Sequence, residues 1–407
     1  AAFARDWHRA EHERLLTAPR KAFVPLAFAP GEAFQFDWSE DCVRIGGEKV
    51  KLQIAQFKLS HSRAFLLRAY WKQTHEMLFD AHNHAFAVFG GVPRRGIYDN
   101  MKTAVDKVHA GKRRSVNARF SAMVSHFLFE AEFCNPASGW EKGQVEKNVQ
   151  DARRRVWPAV PQHFKHLDEL NAWLEDRCKA LWQSLPHPEQ RQRTIAEVLQ
   201  DELPALMPVP VPFDGFVEQT KRVTPTCLVH VERNRYSVPA SFAGRTVSVR
   251  LYPACVVFVA EGQKIAEHVR CIHRSHDGGR TLYDWRHYLS VAQRKPGALR
   301  NGAPFLELPE GFRRLQQQLL QRPGGDKEMV EILALVLRHD EQAVLTAVEL
   351  ALESGAANKQ HILNVLSRLL GEAPPAPVST PPTLALQVEP VADMARYDHL
   401  RRARHAA

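Results

Sequence analysis

The chain has 407 residues, of which 44% are hydrophobic and 25% charged, a balance typical of a globular protein with two to four domains. Because no run of about 18 apolar residues occurs and the first residues are polar, the sequence argues against a membrane span and a secretion signal. The formal net charge of +10 favours a polyanionic partner such as nucleic acid, with a generic basic protein as the alternative.

The cysteines give a second exclusion. Six are present, widely spaced and without a CxxC pair. This spacing argues against a zinc site and against the disulfide framework of a secreted protein. A reducing, cytosolic environment is therefore expected.

The first part of the chain predicts a helical lead-in and linker over residues 1–30, followed by three antiparallel strands. The first strand is GEAFQFDWSE, with Asp37 near its middle. A hairpin turn is predicted at Gly46-Gly47, between two apolar runs, and SRAFLLRAYW is the third strand.

Helices and strands then alternate. A helix is predicted from Thr74 to Gly90, a short strand over Arg95–Tyr98, a helix over 117–127 and a strand over 129–133. A long helix with Val145, Val149, Ala152 and Val156 on one face follows. This order predicts an α/β fold, a ribonuclease H-like mixed sheet flanked by helices, over residues 31–160.

Four further regions are predicted beyond residue 160. Residues 161–213 read as a helical extension and a Pro-rich linker, with a helix over 167–184 and a capping box formed by Thr194 and Glu197. Residues 214–272 predict a small β-barrel. Residues 273–371 predict a basic, aromatic segment and a helical bundle, with helices over 312–320, 328–337, 341–352 and 360–370. Residues 372–407 predict a disordered basic tail.

Three acidic residues occupy the positions that metal-dependent phosphodiester chemistry requires in this fold. Asp37 lies on the first strand, Asp99 at the end of the fourth and Glu146 on the later helix. Two divalent ions about 3.5–4 Å apart need one bridging carboxylate and others on either side. Taken singly, an acid near a strand end is usually only solvated or ion-paired. The competing acids are Glu40, Asp41, Asp80 and Asp106.

The motifs around these acids resemble a known family. They are PGEAFQFDWSE, FGGVPRRGIYDNMKTAV and GWEKGQVEKNVQDARRRVWP, followed by NRYSVPASFAGRTVSVRLYP. Together they are similar to DDE transposases and retroviral-type integrases, most closely to the IstA class of insertion-sequence transposases. The likeness covers roughly residues 1–290. It departs from the family at the start, where helix-turn-helix domains that read the transposon ends are not evident.

The resemblance implies an enzyme and its requirements. Asp37, Asp99 and Glu146 match the metal-binding positions, with Asp37 as the bridge between two Mg²⁺ ions, for which Mn²⁺ can substitute. The activity implied is cleavage that frees 3′-hydroxyls at transposon ends, then strand transfer into target DNA. The implied partners are end and target DNA, further copies of the chain and an IstB-type AAA+ ATPase helper. The implied location is the bacterial cytoplasm, at the nucleoid.

Basic residues cluster near the acids. Between Gly91 and Phe120 there are eight Lys and Arg residues against two Asp. Beside a catalytic Asp, such a strip predicts phosphate contacts, with a solvated loop as the alternative. The predicted DNA-binding residues are Arg94, Arg95, Lys102, Lys107, Lys112, Arg113, Arg114, Lys142, Lys147, Arg153 and Arg154.

The sequence leaves alternatives for the histidines and for the function. The histidines His75, His82 and His84 lack the i, i+4 spacing of a helical zinc site and are expected to be surface or core residues. One rival function is a non-catalytic, architectural DNA-binding protein on a degenerate core. Another is a nuclease that cuts DNA and never joins it.

Overall fold

The structure is a computed structural model that describes residues 26–98, 105–108, 114–133, 155–161, 163–272 and 279–371. For residues 105–108 and 114–116 it describes the backbone alone. The chain divides into two compact units, Ala1–His287 and Tyr288–Ala407. The predicted lead-in helix, the helix around Glu146 up to Arg154 and the basic tail lie outside the described residues. Among the residues described, no helix is long and apolar enough to cross a membrane.

The first unit is built on a mixed five-stranded sheet. Its strands are β1 (Ala33–Ile45), β2 (Glu48–Leu59), β3 (Phe65–Tyr70), β4 (Arg95–Tyr98) and β7 (Glu130–Phe133), in the order β3-β2-β1-β4-β7. Strands β1, β2 and β3 are antiparallel, whereas β4 is parallel to β1 and β7 to β4. Gly46 and Gly47 turn the β1–β2 hairpin with positive φ angles, as predicted. This is the predicted ribonuclease H-like arrangement.

Two helices and a small ladder complete the core. Helix α1 (His75–Phe89) ends at Gly90, which adopts the left-handed conformation. Helix α2 (Ala118–Phe127) begins at Asn117, whose side chain accepts hydrogen bonds from the backbone N–H groups of Arg119 and Phe120. A short ladder of β5 (Val105–Val108) and β6 (Arg114–Val116), which the sequence did not predict, precedes α2.

An aromatic cluster around His82 joins α1 to the sheet. His82 is fully buried; its Nδ1 is 2.8 Å from the Leu78 carbonyl oxygen and its Nε2 2.8 Å from the Tyr98 hydroxyl. The rings of Phe34, Phe36 and Phe57 lie within 6.0 Å of the imidazole. His82 is therefore a core histidine, and its burial lowers the pKa of the imidazole to about 4.

The two helices of the predicted extension pack onto the same core. They are α3 (Leu167–Ser184), with the predicted bounds, and α4 (Ile195–Glu202), which opens with the predicted capping box. Asn171 brackets the backbone of Ala69, accepting from its N–H at 2.7 Å and donating to its carbonyl at 3.1 Å. The buried Glu202 carboxylate accepts from the N–H groups of Gly31 and Ser62. Both helices thus supply buried polar groups that complete the core.

The Pro-rich segment that follows is bound to the core by backbone contacts. We call residues 207–216 the connector. Met207 forms a bridge with Val92, and the Asn83 side chain forms two hydrogen bonds with the backbone of Phe213. A side chain at Gly215 would meet the ring of Phe79 at 2.4 Å, so this close approach requires glycine. The prolines therefore belong to a segment with fixed partners.

The predicted barrel consists instead of two open sheets. One contains β8 (Val217–Arg222), β11 (Thr246–Leu251), β12 (Cys255–Ala260) and β13 (Gln263–Val269), in the order β13-β12-β11-β8. The other contains β9 (Leu228–Val231), β10 (Asn234–Ser237) and β14 (Thr281–Leu282). The prediction of a small β-barrel was therefore wrong. The two sheets share a hydrophobic cluster, with Val229 and Tyr236 from one and Val249 and Phe258 from the other, so the core is closed by packing and not by strand pairing.

A buried ion pair connects this β-rich part to the core sheet. Arg270 donates to the Glu76 carboxylate at 2.8 Å and to Glu232 at 3.0 Å, and the Arg270 and Glu76 side chains are 1% and 3% exposed. Glu76 also accepts from the Thr74 hydroxyl at 2.6 Å. Arg270 comes just after β13 and Glu76 lies in the first turn of α1, so this contact fixes both parts of the first unit to each other.

The second unit is helical, as predicted. It contains α5 (Leu289–Arg294), α6 (Ala298–Asn301), α7 (Glu310–Leu319), α8 (Gly325–Leu333), α9 (Glu341–Glu353) and α10 (Lys359–Leu370). The last four correspond to the four predicted helices, although α8 ends in a 3₁₀ turn over Ala334–Leu337. Phe312, Leu315, Met329, Val348 and Ile362 are among its fully buried apolar residues.

We expect Glu76→Gln to lower the free energy of unfolding by about 3–5 kcal/mol, because it leaves the buried Arg270 guanidinium without one of its two carboxylates. Asp201→Asn is the matched control, since it breaks the exposed Arg193–Asp201 pair and should cost less than about 1 kcal/mol. Urea unfolding measures both values. Equal losses of unfolding free energy in the two variants would contradict a stabilising role for the buried Arg270–Glu76 ion pair.

A second prediction concerns pH. The pKa of His82 is about 4 in the folded chain and about 6.5 in the unfolded chain. The contribution of neutral His82 to stability is therefore fully present above about pH 6.5 and is lost as the pH falls toward about 4. Each pKa unit corresponds to about 1.4 kcal/mol, so His82 accounts for about 3 kcal/mol over this window. We expect His82→Gln to weaken the pH dependence of urea unfolding by this amount. Burial also lowers the pKa of His287 to about 4, so the parent and the variant must be compared directly. Parallel pH curves for the two would refute this assignment.

Candidate active site

Asp37 lies in the middle of β1, between the two strands that flank it. Its Cα is paired with Gln56 of β2, and the preceding residue, Phe36, is paired with Tyr98 at the end of β4. The Asp37 side chain is partly buried, and its Oδ1 accepts a hydrogen bond of 2.8 Å from the Trp38 N–H. Asp37 thus sits beside the point where β4 ends.

The neighbours of Asp37 in the strand face the core, as the sequence alternation predicted. Phe36 is 1% exposed and belongs to the hydrophobic cluster, and Trp38 packs against that cluster. Successive side chains of a strand point to opposite faces, so Asp37 projects from the other side of the sheet.

The face that carries Asp37 holds further polar residues that sequence reasoning missed. Gln56 lies directly opposite Asp37, is 6% exposed and donates a hydrogen bond of 2.6 Å to the Ser39 hydroxyl. Gln35 and Lys58 form the next pair on this face. The signal for these residues was their even spacing from Asp37 on β1 and the register of the hairpin, which the position of Gly46-Gly47 defines.

Tyr98 fixes the end of β4. Its side chain is fully buried, and burial raises the pKa of its hydroxyl well above the usual value. The hydroxyl therefore remains protonated and available to the hydrogen bond with His82. Because His82 belongs to α1 and Tyr98 to β4, this bond holds the last residue of the strand in register with Phe36.

The competing acids have structural partners. Glu40 pairs with Lys51 and accepts from Gln53, and the pKa of its carboxyl is lowered by these contacts. Asp80 accepts from the Tyr70 hydroxyl at 2.6 Å and pairs with Arg68. Asp41 accepts from the Cys42 N–H, and for Asp106 the backbone alone is described. The carboxylates of Glu40 and Asp80 are thus held by basic side chains.

Most of the other predicted site residues fall outside the described part of the chain. These are Asp99, Glu146, Lys102, Lys112, Arg113, Lys142, Lys147, Arg153 and Arg154. The backbones of Lys107 and Arg114 belong to β5 and β6. Arg94 is exposed, whereas Arg95 is held by ion pairs to Glu32 and Glu132.

The donors on the Asp37 face suit a hard cation. They are a carboxylate, a hydroxyl and an amide, and oxygen atoms are the ligands that Mg²⁺ prefers. Within the described ranges, no group of three or more His, Cys, Asp or Glu residues is close enough to hold a metal ion. Asp37 supplies one carboxylate, so a metal there would need acids from elsewhere in the chain.

Comparisons with known proteins identify the family. A family model described as "Mu transposase, C-terminal domain" matches residues 208–277, which include β8 to β13. A transposase from Aminobacter aminovorans is 65% identical over all of this chain and 81% of its own length. The transposase for insertion sequences IS1326/IS1353 from Pseudomonas aeruginosa is 64% identical over all of this chain and 80% of its own length.

Among solved structures, the catalytic core domain of the HTLV-2 integrase, in complex with magnesium, is similar over 42% of this chain and 99% of its own, with 14% identity and a TM-score of 0.31. The identity over the whole chain, together with the order of strands in the core sheet, decides the assignment. This chain belongs to the insertion-sequence transposases, the IstA-class group that its motifs resemble.

Proposed function

We propose that this transposase catalyses metal-dependent cleavage of the 3′ ends of its transposon and their transfer into target DNA, with Asp37, Asp99 and Glu146 as the metal-binding residues. The observation that carries the proposal is the strand register beside Asp37. β4 ends at Tyr98 opposite Phe36, and Asp99 is the next residue along the chain. In sequence, Asp37 and Asp99 each directly follow one member of this pair, Phe36 and Tyr98.

The geometry of parallel strands supports this pairing. Neighbouring strands lie about 4.8 Å apart, and directly paired residues place their side chains on the same face. If the register of Phe36 and Tyr98 extends by one residue, the two carboxylates share the face that carries Gln56 and Ser39. That separation suits two carboxylates that bind the same pair of ions.

In this proposal each of the three acidic residues has one task. Asp37 would hold both metal ions, while Asp99 and Glu146 would each hold one of them. Bound Mg²⁺, or Mn²⁺ in its place, would neutralise charge on the phosphate that is attacked and on the leaving oxygen. Gln56 and Ser39 hold the neighbouring polar surface in place, since the hydrogen bond between them is short and Gln56 is buried.

Basic residues near Asp99 are proposed to hold the DNA. Lys102 is the nearest in sequence, and Arg94 is exposed just before β4. The remaining candidates are Lys107, Lys112, Arg113, Arg114, Lys142, Lys147, Arg153 and Arg154. Arg95 is the weakest of the predicted contacts, because two carboxylates already bind its guanidinium.

The partners and location follow from this activity. Joining one element to both strands of a target needs two active sites, so we infer that at least two copies act together on end and target DNA. We also propose an IstB-type AAA+ ATPase as helper, and action in the bacterial cytoplasm at the nucleoid. The formal net charge of +10 supports the DNA partner.

We expect Asp37→Asn to reduce strand transfer of a pre-nicked transposon-end duplex into plasmid DNA by more than about 100-fold in Mg²⁺, because the change removes a metal-binding charge and keeps the shape. Glu146→Gln should have the same effect. Asp41→Asn is the matched control on the same strand, and it should keep near-parent activity. The assay is run with and without the ATPase helper, and circular dichroism verifies the fold of each variant.

The outcomes separate the rival functions. Joining by the parent and loss in both site variants supports the proposal. Equal activity of parent and Asp37→Asn would refute the site. Cutting of the end duplex without any joining would favour a nuclease, and DNA binding without chemistry, even with the helper present, would favour an architectural protein.

A further inference from the structure

The tip of the β1–β2 hairpin carries a groove that lies apart from Asp37. The groove has a volume of about 480 Å³ and is lined by Cys42, Val43, Arg44, Lys49, Trp157, Val160 and Pro161. Two of these seven residues are basic and none is acidic. Its other lining residues are a tryptophan, a proline, two valines and a cysteine, so two cations share the groove with an aromatic side chain.

The two basic residues face each other across the hairpin. Arg44 of β1 is the direct partner of Lys49 of β2, and both side chains are exposed. Residues directly paired in an antiparallel ladder have Cβ atoms about 4.5–5.5 Å apart, and like charges at this distance repel each other. The hairpin therefore holds an electrostatically unfavourable pair that an anion between the two charges would relieve.

Arg44 and Lys49 differ in their ion-pair partners from Lys51, the next lysine on β2. Lys51 is neutralised by the Glu40 carboxylate. Within the described residues, Arg44 and Lys49 form no ion pair, and Arg44 makes only a long bond of 3.4 Å to the Gly47 carbonyl. Glu48, at the tip, is exposed but does not line the groove. The groove thus keeps its two charges available.

The chain just beyond the opposite wall of the groove is hydrogen-bonded to the hairpin. The Gly46 N–H donates to the Phe164 carbonyl at 2.8 Å, and the Phe164 N–H donates to the Arg44 carbonyl at 3.1 Å. Trp157 and Val160 pack against the hydrophobic core. Trp157 therefore contacts the core and lines the same groove as the two cations.

We propose that this groove binds the sugar–phosphate backbone of DNA, with Arg44 and Lys49 on adjacent phosphates and Trp157 against a sugar or an unstacked base. The chemistry favours a polyanion over a single small anion, because two separate charges line one open groove next to an aromatic surface. The proposal rests on the proposed function, since it takes DNA as the substrate.

The groove is a contact separate from the catalytic one. Arg44 follows Asp37 by seven residues, an odd number, so the two side chains leave opposite faces of β1. Along the strand they are roughly 23 Å apart. The groove therefore contacts phosphates remote from the bond that is cut, either on the transposon end or on the target.

The test measures DNA binding without chemistry. The full chain and its variants are titrated in EDTA with two fluorescent 40-base-pair duplexes, one with the transposon end and one of unrelated sequence. We expect Arg44→Ala/Lys49→Ala to weaken binding about tenfold or more near 100 mM salt, and to reduce the slope of log K against log salt by about 2. Trp157→Phe should keep binding, and Trp157→Ala should weaken it.

Lys51→Ala is the matched control, because it removes a cation from the same strand outside the groove. A loss with the end duplex alone identifies the transposon end as the ligand, and a loss with both identifies a contact with DNA of any sequence; either supports the site. The melting temperature of the double variant should not fall, since it removes a repulsion.

Unchanged affinity and salt slope in the double variant would overturn the proposal, as would an equal loss in Lys51→Ala. Because EDTA removes divalent metal ions from the binding assay, these results do not depend on catalysis. Cys42, which is exposed and lines the groove, gives an independent measurement. A duplex that carries an activated disulfide on its tether is expected to exchange with the Cys42 thiol, which forms the mixed disulfide and releases the leaving thiol. The product should be absent in Cys42→Ser, and its failure to form with either duplex would also count against the site.

Discussion

The neutral imidazole of His82 is the interaction on which the candidate site depends. It connects helix α1, through Leu78, to the last residue of β4, through Tyr98, in the middle of an aromatic cluster. Burial keeps it uncharged, and in that state one ring nitrogen donates and the other accepts. The imidazole thereby satisfies two buried polar groups and fixes the strand end next to Asp37.

The surrounding core is completed by side chains from distant parts of the sequence. Asn171, Glu202 and Asn83 each form two hydrogen bonds to backbone groups of residues far away in the sequence. Buried backbone groups without partners are costly, so these contacts stabilise the segments that they reach. Helices α3 and α4 and the connector consequently belong to the same hydrophobic core as the sheet or are tied to it.

Much of this fold could be predicted because its signals are local. The glycine pair that turns the hairpin, the capping box at Thr194 and the apolar spacing of α3 all act within a few residues. The prediction of a small β-barrel was wrong because the alternation of apolar and polar residues is the same in a barrel and in two packed sheets. Only the long-range pairing of the strands distinguishes the two. For the same reason, Gln56 was missed beside Asp37, since it comes from the neighbouring strand.

The candidate site is predicted from strand alternation and chain order. These place Asp37 on β1, away from Phe36, and Asp99 directly after β4. The sequence could not tell which charged residues are already engaged. Arg95 lies in the basic strip, yet it is bound by Glu32 and Glu132, whereas Arg44 and Lys49 lie outside the strip and form no ion pair among the described residues.

The distribution of ion pairs therefore says more about DNA binding than the net charge does. A cation that is held by a carboxylate must break that contact to reach a phosphate, whereas one that faces another cation gains by reaching it. Arg270 is the extreme of the first kind, because its guanidinium is buried and bound by two carboxylates that connect the core to the β-rich part. Arg44 and Lys49 are of the second kind. The same residue types thus serve architecture at one place and can serve a polyanionic ligand at another, and their partners decide which.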